Sequence, residues 1–133
     1  MKYSKATNYA LHTMLYLVNV TPEKHVGVQQ LATHQDVSTT YLSKILTKLA
    51  KAGMVESVSG ANGGYKLKPN WEDISFLDII QAIEGPTSLF DYCLHHDPNC
   101  LIQKVIVSAE EKMLDELRNQ KIVDITKQMT EAH

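Results

Sequence analysis

Two cysteines, Cys93 and Cys100, lie in one short segment with His95 and His96 between them. Thiolates and imidazoles are the ligands that tetrahedral zinc prefers, and two neighbouring thiols form a disulfide when their Cα atoms come within about 7 Å. The spacing fits no zinc motif, and ligands drawn from so short a loop would be cramped. We therefore predict no metal ligands. Cys93 and Cys100 are interpreted either as a redox-sensing pair or as two thiols without a sensory role.

A second group of chemically useful side chains lies between residues 38 and 51. The polar members are Ser38, Thr39, Thr40, Ser43, Lys44, Lys48 and Lys51. On a helix they lie opposite Leu42, Ile45 and Leu46. Hydroxyls and amines in that position can contact the phosphates or base edges of a nucleic acid, and a helix N-terminus also favours a phosphate. Taken singly, such residues are more often helix caps and solvated lysines, so their surroundings must decide.

Charge is divided unevenly along the chain. Residues 1–70 contain eight lysines and three acidic residues, 8 − 3 = +5, whereas residues 71–133 contain five basic and twelve acidic residues, 5 − 12 = −7. The polar group of residues 38–51 therefore belongs to the basic half. A polyanion would attract the basic half and repel the acidic half. The two halves are therefore expected to have different roles.

Composition excludes several classes of protein. The 133 residues are 44% hydrophobic and 21% charged, close to the average for globular proteins. No stretch provides the roughly 20 apolar residues of a membrane span, and the first residues lack the pattern of a secretory signal peptide. We expect a cytoplasmic protein with no membrane contact. We also expect no enzyme, because paired carboxylates, a phosphate-binding loop and a nucleophile–base motif are all missing from the sequence.

Helical spacing of apolar residues predicts three helices before residue 54. Ser4 is a plausible N-cap for the first helix, which Pro22 ends. The second is predicted over residues 28–35. After a tight connection at 36–38, Ser38 caps the third helix, and Gly53 follows it where a left-handed glycine is expected.

A change of period follows the third helix. Residues 54–58 and 65–67 are two short strand-like runs, and the glycine-rich segment 59–64 between them predicts a β-hairpin. The predicted order of elements is helix, short helix, tight turn, helix and two-stranded wing. This is the order of a winged helix-turn-helix, in which the third helix enters the major groove of DNA. The predicted fold class is mainly α with this small β-hairpin. The candidate DNA-binding residues are Lys2, Val28, Ser38, Thr39, Thr40, Tyr41, Ser43, Lys44, Lys48, Ser59, Asn62, Gly63 and Tyr65.

The acidic half predicts further helices. Ser75 and Asp78 form a capping-box pattern, and the helix that they open ends at Gly85. A long helix begins near residue 101, and a short helix follows it. The long helix has an apolar face of Ile102, Val105, Ile106, Ala109, Met113 and Leu117. A small domain cannot cover this face, so we predict a homodimer with an isologous contact. The predicted division is 1–85 for DNA binding, 86–100 for the cysteine loop and 101–133 for the dimerisation helix and tail helix.

Three motifs point to a family. They are Val37-Ser38-Thr39-Thr40-Tyr41-Leu42, Ala52-Gly53-Met54-Val55 and Gly60-Ala61-Asn62-Gly63-Gly64-Tyr65-Lys66-Leu67. In these segments, and in Tyr9-Ala10 and residues 79–85, the chain resembles the Rrf2 family of bacterial transcription regulators. The resemblance implies a homodimer that is joined through a long C-terminal helix and binds a pseudo-palindromic operator in double-stranded DNA, and the regulator is expected to be a repressor.

The chain departs from the family pattern at two places. Many members have an arginine before the first wing glycine, suited to a narrow minor groove, where this chain has Ser59. Members that bind an iron–sulfur cluster use three closely spaced cysteines, whereas here Ile106 lies near the third position, and Asn8 replaces an aspartate ligand of some members. A cluster is therefore disfavoured, and no cofactor is predicted.

Three functions remain open from the sequence. The first is a dimeric DNA-binding repressor, which the basic half and the polar third helix favour. The second is a winged helix that binds a protein, such as a metabolic enzyme, instead of DNA. The third is a regulator that senses an iron–sulfur cluster. Salt-dependent retention on heparin or nonspecific DNA separates the first from the second, because only phosphate contacts give a steep salt dependence.

Overall fold

The computed structural model describes residues 3–20, 24–85 and 98–131. Its helices are α1 Lys5–Val20, α2 Val28–Gln35, α3 Thr39–Lys51, α4 Phe76–Glu84, α5 Leu101–Asn119 and α6 Ile122–Glu131. The strands are β1 Val55–Val58 and β2 Gly64–Leu67, which pair antiparallel. A short 3-10 turn at Trp71–Asp73 precedes α4. This order confirms the mainly helical fold with one small hairpin.

The ends of the helices follow the predicted chemistry. The Ser38 hydroxyl accepts the backbone N–H of Tyr41 at 3.1 Å and so caps α3. Gly53 has φ +79°, a left-handed conformation, just after α3. Ser75 and Asp78 form a complete capping box at the start of α4. Local sequence signals therefore set these boundaries correctly.

A single apolar core joins the helices of the basic half to α4. Met14 of α1, Leu46 of α3 and Ile79 of α4 are fully buried within it. The apolar spacing of α4 predicts Phe76, Ile79, Ile80 and Ile83 on its inner face. Ile79 and Ile80 are buried, whereas Phe76 and Ile83 are only half-buried, and Leu77, outside that set, is buried as well. The reason is that α4 packs against α1, α3 and α5, so more than one stripe of its surface is covered.

Two short backbone pairings hold the outer elements in place. Val26 and Tyr65 exchange N–H···O bonds of 2.8 and 2.9 Å, which attaches the segment before α2 to the hairpin. In the second pairing, Phe76 N–H donates to Gln120 O at 2.9 Å, next to the Ser75–Lys121 bridge. This second pairing sets α6 against α1, and buries Ile122 in the core. The division of the chain at residues 85 and 101 stays a prediction.

Candidate nucleic-acid interface

The turn between α2 and α3 is tight because one residue takes a left-handed conformation. Asp36 has φ +56° and ψ +49°, and it is the only non-glycine residue with positive φ in the described part of the chain. Its N–H donates to Thr33 O, and Val37 N–H donates to Ala32 O at 3.0 Å. The turn is therefore completed within residues 36–38, and α3 begins directly after it at Thr39.

Helix α3 has one buried face and one exposed polar face. Leu42, Ile45, Leu46 and Leu49 are at most 3% exposed. The predicted contact residues on the other face are solvent-exposed Thr39, Thr40, Lys44 and Lys48, with half-buried Ser43 beside them. Thr47 is also exposed, but its hydroxyl donates to Ser43 O at 2.8 Å, within the helix. The buried residues hold α3 in the core, and the hydroxyls and lysines of its other face are therefore exposed to solvent in a fixed arrangement.

Tyr41 occupies the border between these two faces. Its ring is 38% exposed and meets the ring of Tyr9 edge to face, with the centroids 5.7 Å apart. This geometry is favourable for aromatic pairs. Tyr41 therefore joins α3 to α1 and is also partly exposed to solvent.

Two glycines of the wing are required by the packing of its backbone. A Cβ on Gly63 would lie 2.0 Å from Val58 O, and a Cβ on Gly64 would lie 2.2 Å from Val26 O. Side chains at these positions would collide with backbone atoms, so the hairpin closes only with glycine there. The sequence predicts a hairpin from this glycine-rich segment, and the structure shows that the backbone packing of the hairpin itself requires Gly63 and Gly64. Ser59 and Asn62 are exposed at the tip, and Gly63 and Tyr65 are half-buried.

The remaining predicted site residues lie elsewhere. Val28 is half-buried at the start of α2 and packs against the core. Cys100 is half-buried and caps α5, since its sulfur accepts Gln103 N–H at 3.5 Å. Lys2 and Cys93 lie outside the described residues, as do His95 and His96. The structure therefore places Cys100 at the N-cap of α5 and not on the surface formed by α3 and the wing.

One residue near α3 escaped the sequence analysis. Glu84, the last residue of α4, accepts three hydrogen bonds at Oε2: Ser4 N–H at 2.7 Å, Ser4 Oγ at 3.0 Å and Thr7 Oγ1 at 2.5 Å. Burial raises the pKa of Glu84, but the hydrogen bonds from Thr7 and Ser4 and the nearby charge of Lys48 outweigh it and hold the pKa below its ordinary value. The carboxylate thus caps the start of α1. The available clue was an acidic residue at a helix C-terminus, which the helix dipole disfavours.

Helix α5 differs from all the helices before it because none of its residues is buried. Leu101, Ile102 and Val105 are 74%, 76% and 67% exposed. Of the other predicted interface residues, Ala109 is exposed and Ile106, Met113 and Leu117 are half-buried. The N-terminal part of α5 therefore presents aliphatic side chains to solvent in the single chain.

Comparison with known proteins identifies the family. A family model described as "Rrf2: Iron-dependent Transcriptional regulator" matches residues 3–128. The chain belongs to the Rrf2 family. NsrR of Halalkalibacterium halodurans, an HTH-type transcriptional regulator, is 31% identical over 106 residues, which cover 79% of this chain and 72% of that protein.

Solved structures agree with this assignment. CymR, the global cysteine regulator of B. subtilis, has a TM-score of 0.82 and 26% identity, covering 96% of this chain and 97% of its own. IscR of T. potens has a TM-score of 0.79 and 30% identity, covering 100% of this chain and 91% of its own. This Rrf2 protein is therefore a DNA-binding transcriptional regulator with a winged-helix fold. The individual DNA contacts named above stay predictions.

The description of the family as iron-dependent calls for a test of the ligands in this Rrf2 protein. Among the described residues, no group of three or more histidine, cysteine or acidic side chains is placed to hold a metal ion. Cys100 belongs to the described part, and Ile106 stands near the place of a third cysteine. These residues do not fit the three-cysteine pattern of a cluster site. None of the described helices has the length and apolar character needed to cross a membrane.

Proposed function

We propose that this Rrf2 protein is a homodimeric repressor that binds a pseudo-palindromic operator. The observation that supports the proposal best is the exposed aliphatic surface at the start of α5. Leu101, Ile102 and Val105 would each contribute about 1.5–3 kcal/mol if they were fully buried. A second copy of the chain has the same surface, so a twofold contact would bury these side chains on both chains.

A dimer contains two copies of α3, each with an exposed polar face. Two recognition helices related by a twofold axis contact half-sites about one helical turn apart, and the operator then has matching inverted symmetry. Lys44 and Lys48 are exposed on α3 and supply charge for the phosphates, while Thr39 and Thr40 lie at the helix N-terminus. A dimer that occupies such a site within a promoter blocks access of the polymerase, which is the proposed basis of repression.

Selection of bound duplexes from a random pool tests this proposal without knowledge of the operator. We expect an inverted repeat whose half-sites are about 10 base pairs apart, centre to centre. In transcription from a promoter that contains the selected site, the protein should lower the transcript yield. A selected sequence without inverted symmetry would contradict the dimeric mode of binding, and a rise in transcript would contradict repression.

The position of Cys100 supports a second proposal, that the loop cysteines act as a thiol switch. The Cys100 sulfur caps the first turn of α5, directly before the exposed aliphatic residues. A disulfide with Cys93 would form as the two thiols give two electrons and two protons to an added oxidant such as diamide. The new bond would remove the sulfur from the cap and pull on the start of the dimer helix.

DNA binding measured before and after oxidation tests the switch. We expect diamide to release the wild-type protein from DNA and dithiothreitol to restore binding, whereas Cys100→Ser should bind under both conditions. If the Cys93→Ser, Cys100→Ser double variant responds to diamide as the wild type does, these cysteines are not the switch.

We further propose that the regulator holds no resident iron–sulfur cluster, because it has two cysteines where the cluster-binding pattern has three. Protein purified without oxygen should show no visible charge-transfer absorption. The presence of such bands, together with iron and sulfide in the sample, would overturn this proposal.

A further inference from the structure

A groove lies where α1, α2 and the C-terminal part of α6 border one another. Its volume is about 440 Å³, within the range of small-molecule sites in proteins. Helix α6 contributes Met129 to the lining, and α2 contributes its last two residues. Helix α1 contributes a row of polar and aromatic residues spaced by three or four, which are Asn8, His12, Tyr16 and Asn19. The groove is therefore separate from the polar face of α3 and from the aliphatic residues of α5.

Side-chain contacts between α1 and α2 hold the walls of this groove in place. The Tyr16 hydroxyl accepts a hydrogen bond from Gln30 Nε2 at 2.9 Å. The rings of Tyr16 and His34 contact each other, with their centroids 4.3 Å apart and their planes tilted by 46°. Gln35 Nε2 donates to the hydroxyl of Thr13, which is fully buried. The groove thus has a preformed aromatic wall.

The lining residues indicate what kind of ligand the groove favours. Among the described residues that line it, none is a lysine, arginine, aspartate or glutamate, although 21% of the chain is charged. A phosphate or an ammonium group would therefore find no opposite charge there. The exposed amides of Asn8 and Asn19 can both donate and accept hydrogen bonds. His12 Nδ1–H donates to Asn8 O at 2.8 Å, so Nε2 of the neutral ring is an acceptor.

Amide side chains pair with the hydrogen-bonding edge of a nucleobase, and aromatic side chains stack on its face. We propose that this groove binds an uncharged nitrogen heterocycle, a free nucleobase or nucleoside, and that its occupancy changes DNA binding.

Two lining residues connect the groove to the DNA-binding elements. Tyr9 meets Tyr41 of α3 edge to face, with the ring centroids 5.7 Å apart. Gln35 is the last residue of α2 and directly precedes the tight turn at Asp36. A ligand that contacts both residues therefore acts on the position of α3. This effect rests on the proposed DNA binding through α3, whereas binding of the ligand itself does not.

Equilibrium dialysis of the wild-type protein against labelled adenosine tests the site directly. We expect saturable binding with a dissociation constant below about 1 mM, as for a ligand of this size. His34→Ala should weaken it about 5-fold or more, because one base–aromatic stack is lost. His25→Ala is the matched control, since His25 is an exposed histidine outside the groove, and it should bind as the wild type does. An absence of saturable binding, or equal losses in the two variants, would overturn the proposal.

A second substitution and two competitors examine the recognition chemistry. His12→Ala, also at an exposed position, should weaken adenosine binding and covers the case in which His34→Ala does not fold. Indole has a similar fused ring but lacks ring acceptors, so it should compete about 5-fold less well than adenosine. Adenosine monophosphate should compete no better than adenosine, because the lining has no cation for its phosphate. Equal competition by indole, or stronger competition by the monophosphate, would overturn the assigned ligand class.

DNA binding with and without adenosine tests the coupling. Saturating adenosine should change the affinity of the wild-type protein for a random-sequence duplex by at least about 5-fold, the lower end of usual allosteric couplings. An unchanged affinity would overturn the regulatory role of the groove. A protein that binds no DNA under either condition would instead contradict the proposed function. If the monomeric variant Ile102→Glu binds adenosine and the wild type does not, a second copy of the chain covers the groove, which would also overturn the proposal.

Discussion

Helices α3 and α5 both have an apolar stripe, but only α3 buries it within the chain. The four leucine and isoleucine residues on the inner face of α3 are at most 3% exposed, whereas no residue of α5 is buried. The polar residues of α3 are therefore presented by a support that the chain completes alone. Helix α5 is joined to the domain through its packing on α4 and the bridge at Lys121, and its N-terminal part lacks cover in the single chain.

An apolar stripe in a helix can therefore stabilise either the fold of one chain or an assembly of two chains. An apolar stripe covered within the chain stabilises the fold at any protein concentration. An apolar stripe exposed in the single chain stabilises only an assembly, and its contribution depends on protein concentration. A substitution in the apolar stripe of α3 should therefore lower the stability of the single chain, whereas one in the stripe of α5 should weaken dimerisation.

The largest expected effect is on dimerisation, from Ile102→Glu. Ile102 is 76% exposed in the single chain, so a glutamate there leaves the fold intact but places two buried carboxylates in the twofold contact. The cost should be at least about 3 kcal/mol per dimer, and sedimentation velocity at micromolar concentration should show a monomer with unchanged helix content. Val20→Glu, on an exposed aliphatic residue of α1, is the control and should remain dimeric. A dimeric Ile102→Glu protein would contradict the proposed interface.

The opposite behaviour is expected for Leu46→Ala on α3. The side chain is fully buried, and its truncation should lower the free energy of unfolding by about 2–5 kcal/mol through lost burial and the cavity that remains. Urea denaturation in the monomeric Ile102→Glu background measures this loss without a contribution from dissociation. A loss that appears only in the dimer would mean that α3 depends on the partner, and the contrast between the two helices would then be wrong.

Sequence reasoning was accurate wherever the deciding signals are local. The Ser38 cap, the left-handed Gly53 and the capping box of Ser75 and Asp78 each act within a few residues, and all three are present in the structure. The stripe on α3 was also identified correctly, because one helical period describes its single buried face.

The features that sequence reasoning missed depend on distant contacts. Glu84 is bound by Ser4, 80 residues earlier in the chain, and no local pattern indicates that pairing. The Val26–Tyr65 bridge is one pair long, too short to show the alternation of a strand. Leu77 was missed because α4 contacts three helices, and a single stripe underestimates its buried surface.

A smaller effect is expected for the outer face of α3. Lys44→Ala should reduce the slope of log K against log salt for a random-sequence duplex by about 0.9, because the exposed lysine neutralises about one phosphate. Lys104→Ala, which removes an exposed lysine from α5, should leave the slope unchanged. Equal changes in the two variants would show that overall charge, and not the α3 surface, governs binding.

The smallest expected difference is between the N-caps of the two helices. The Ser38 hydroxyl accepts Tyr41 N–H at 3.1 Å, whereas the Cys100 sulfur accepts Gln103 N–H at 3.5 Å and sulfur is a weak acceptor. Ser38→Ala should therefore destabilise the protein by about 1 kcal/mol, and Cys100→Ala should cost only a few tenths of that. Denaturation under reducing conditions in the Ile102→Glu background compares the two, and Ser38→Asp, which keeps a capping oxygen, should recover most of the loss at Ser38. If Cys100→Ala costs as much as Ser38→Ala, the start of α5 is a stable part of the monomer, and the contrast drawn between the two helices must be confined to their side-chain faces.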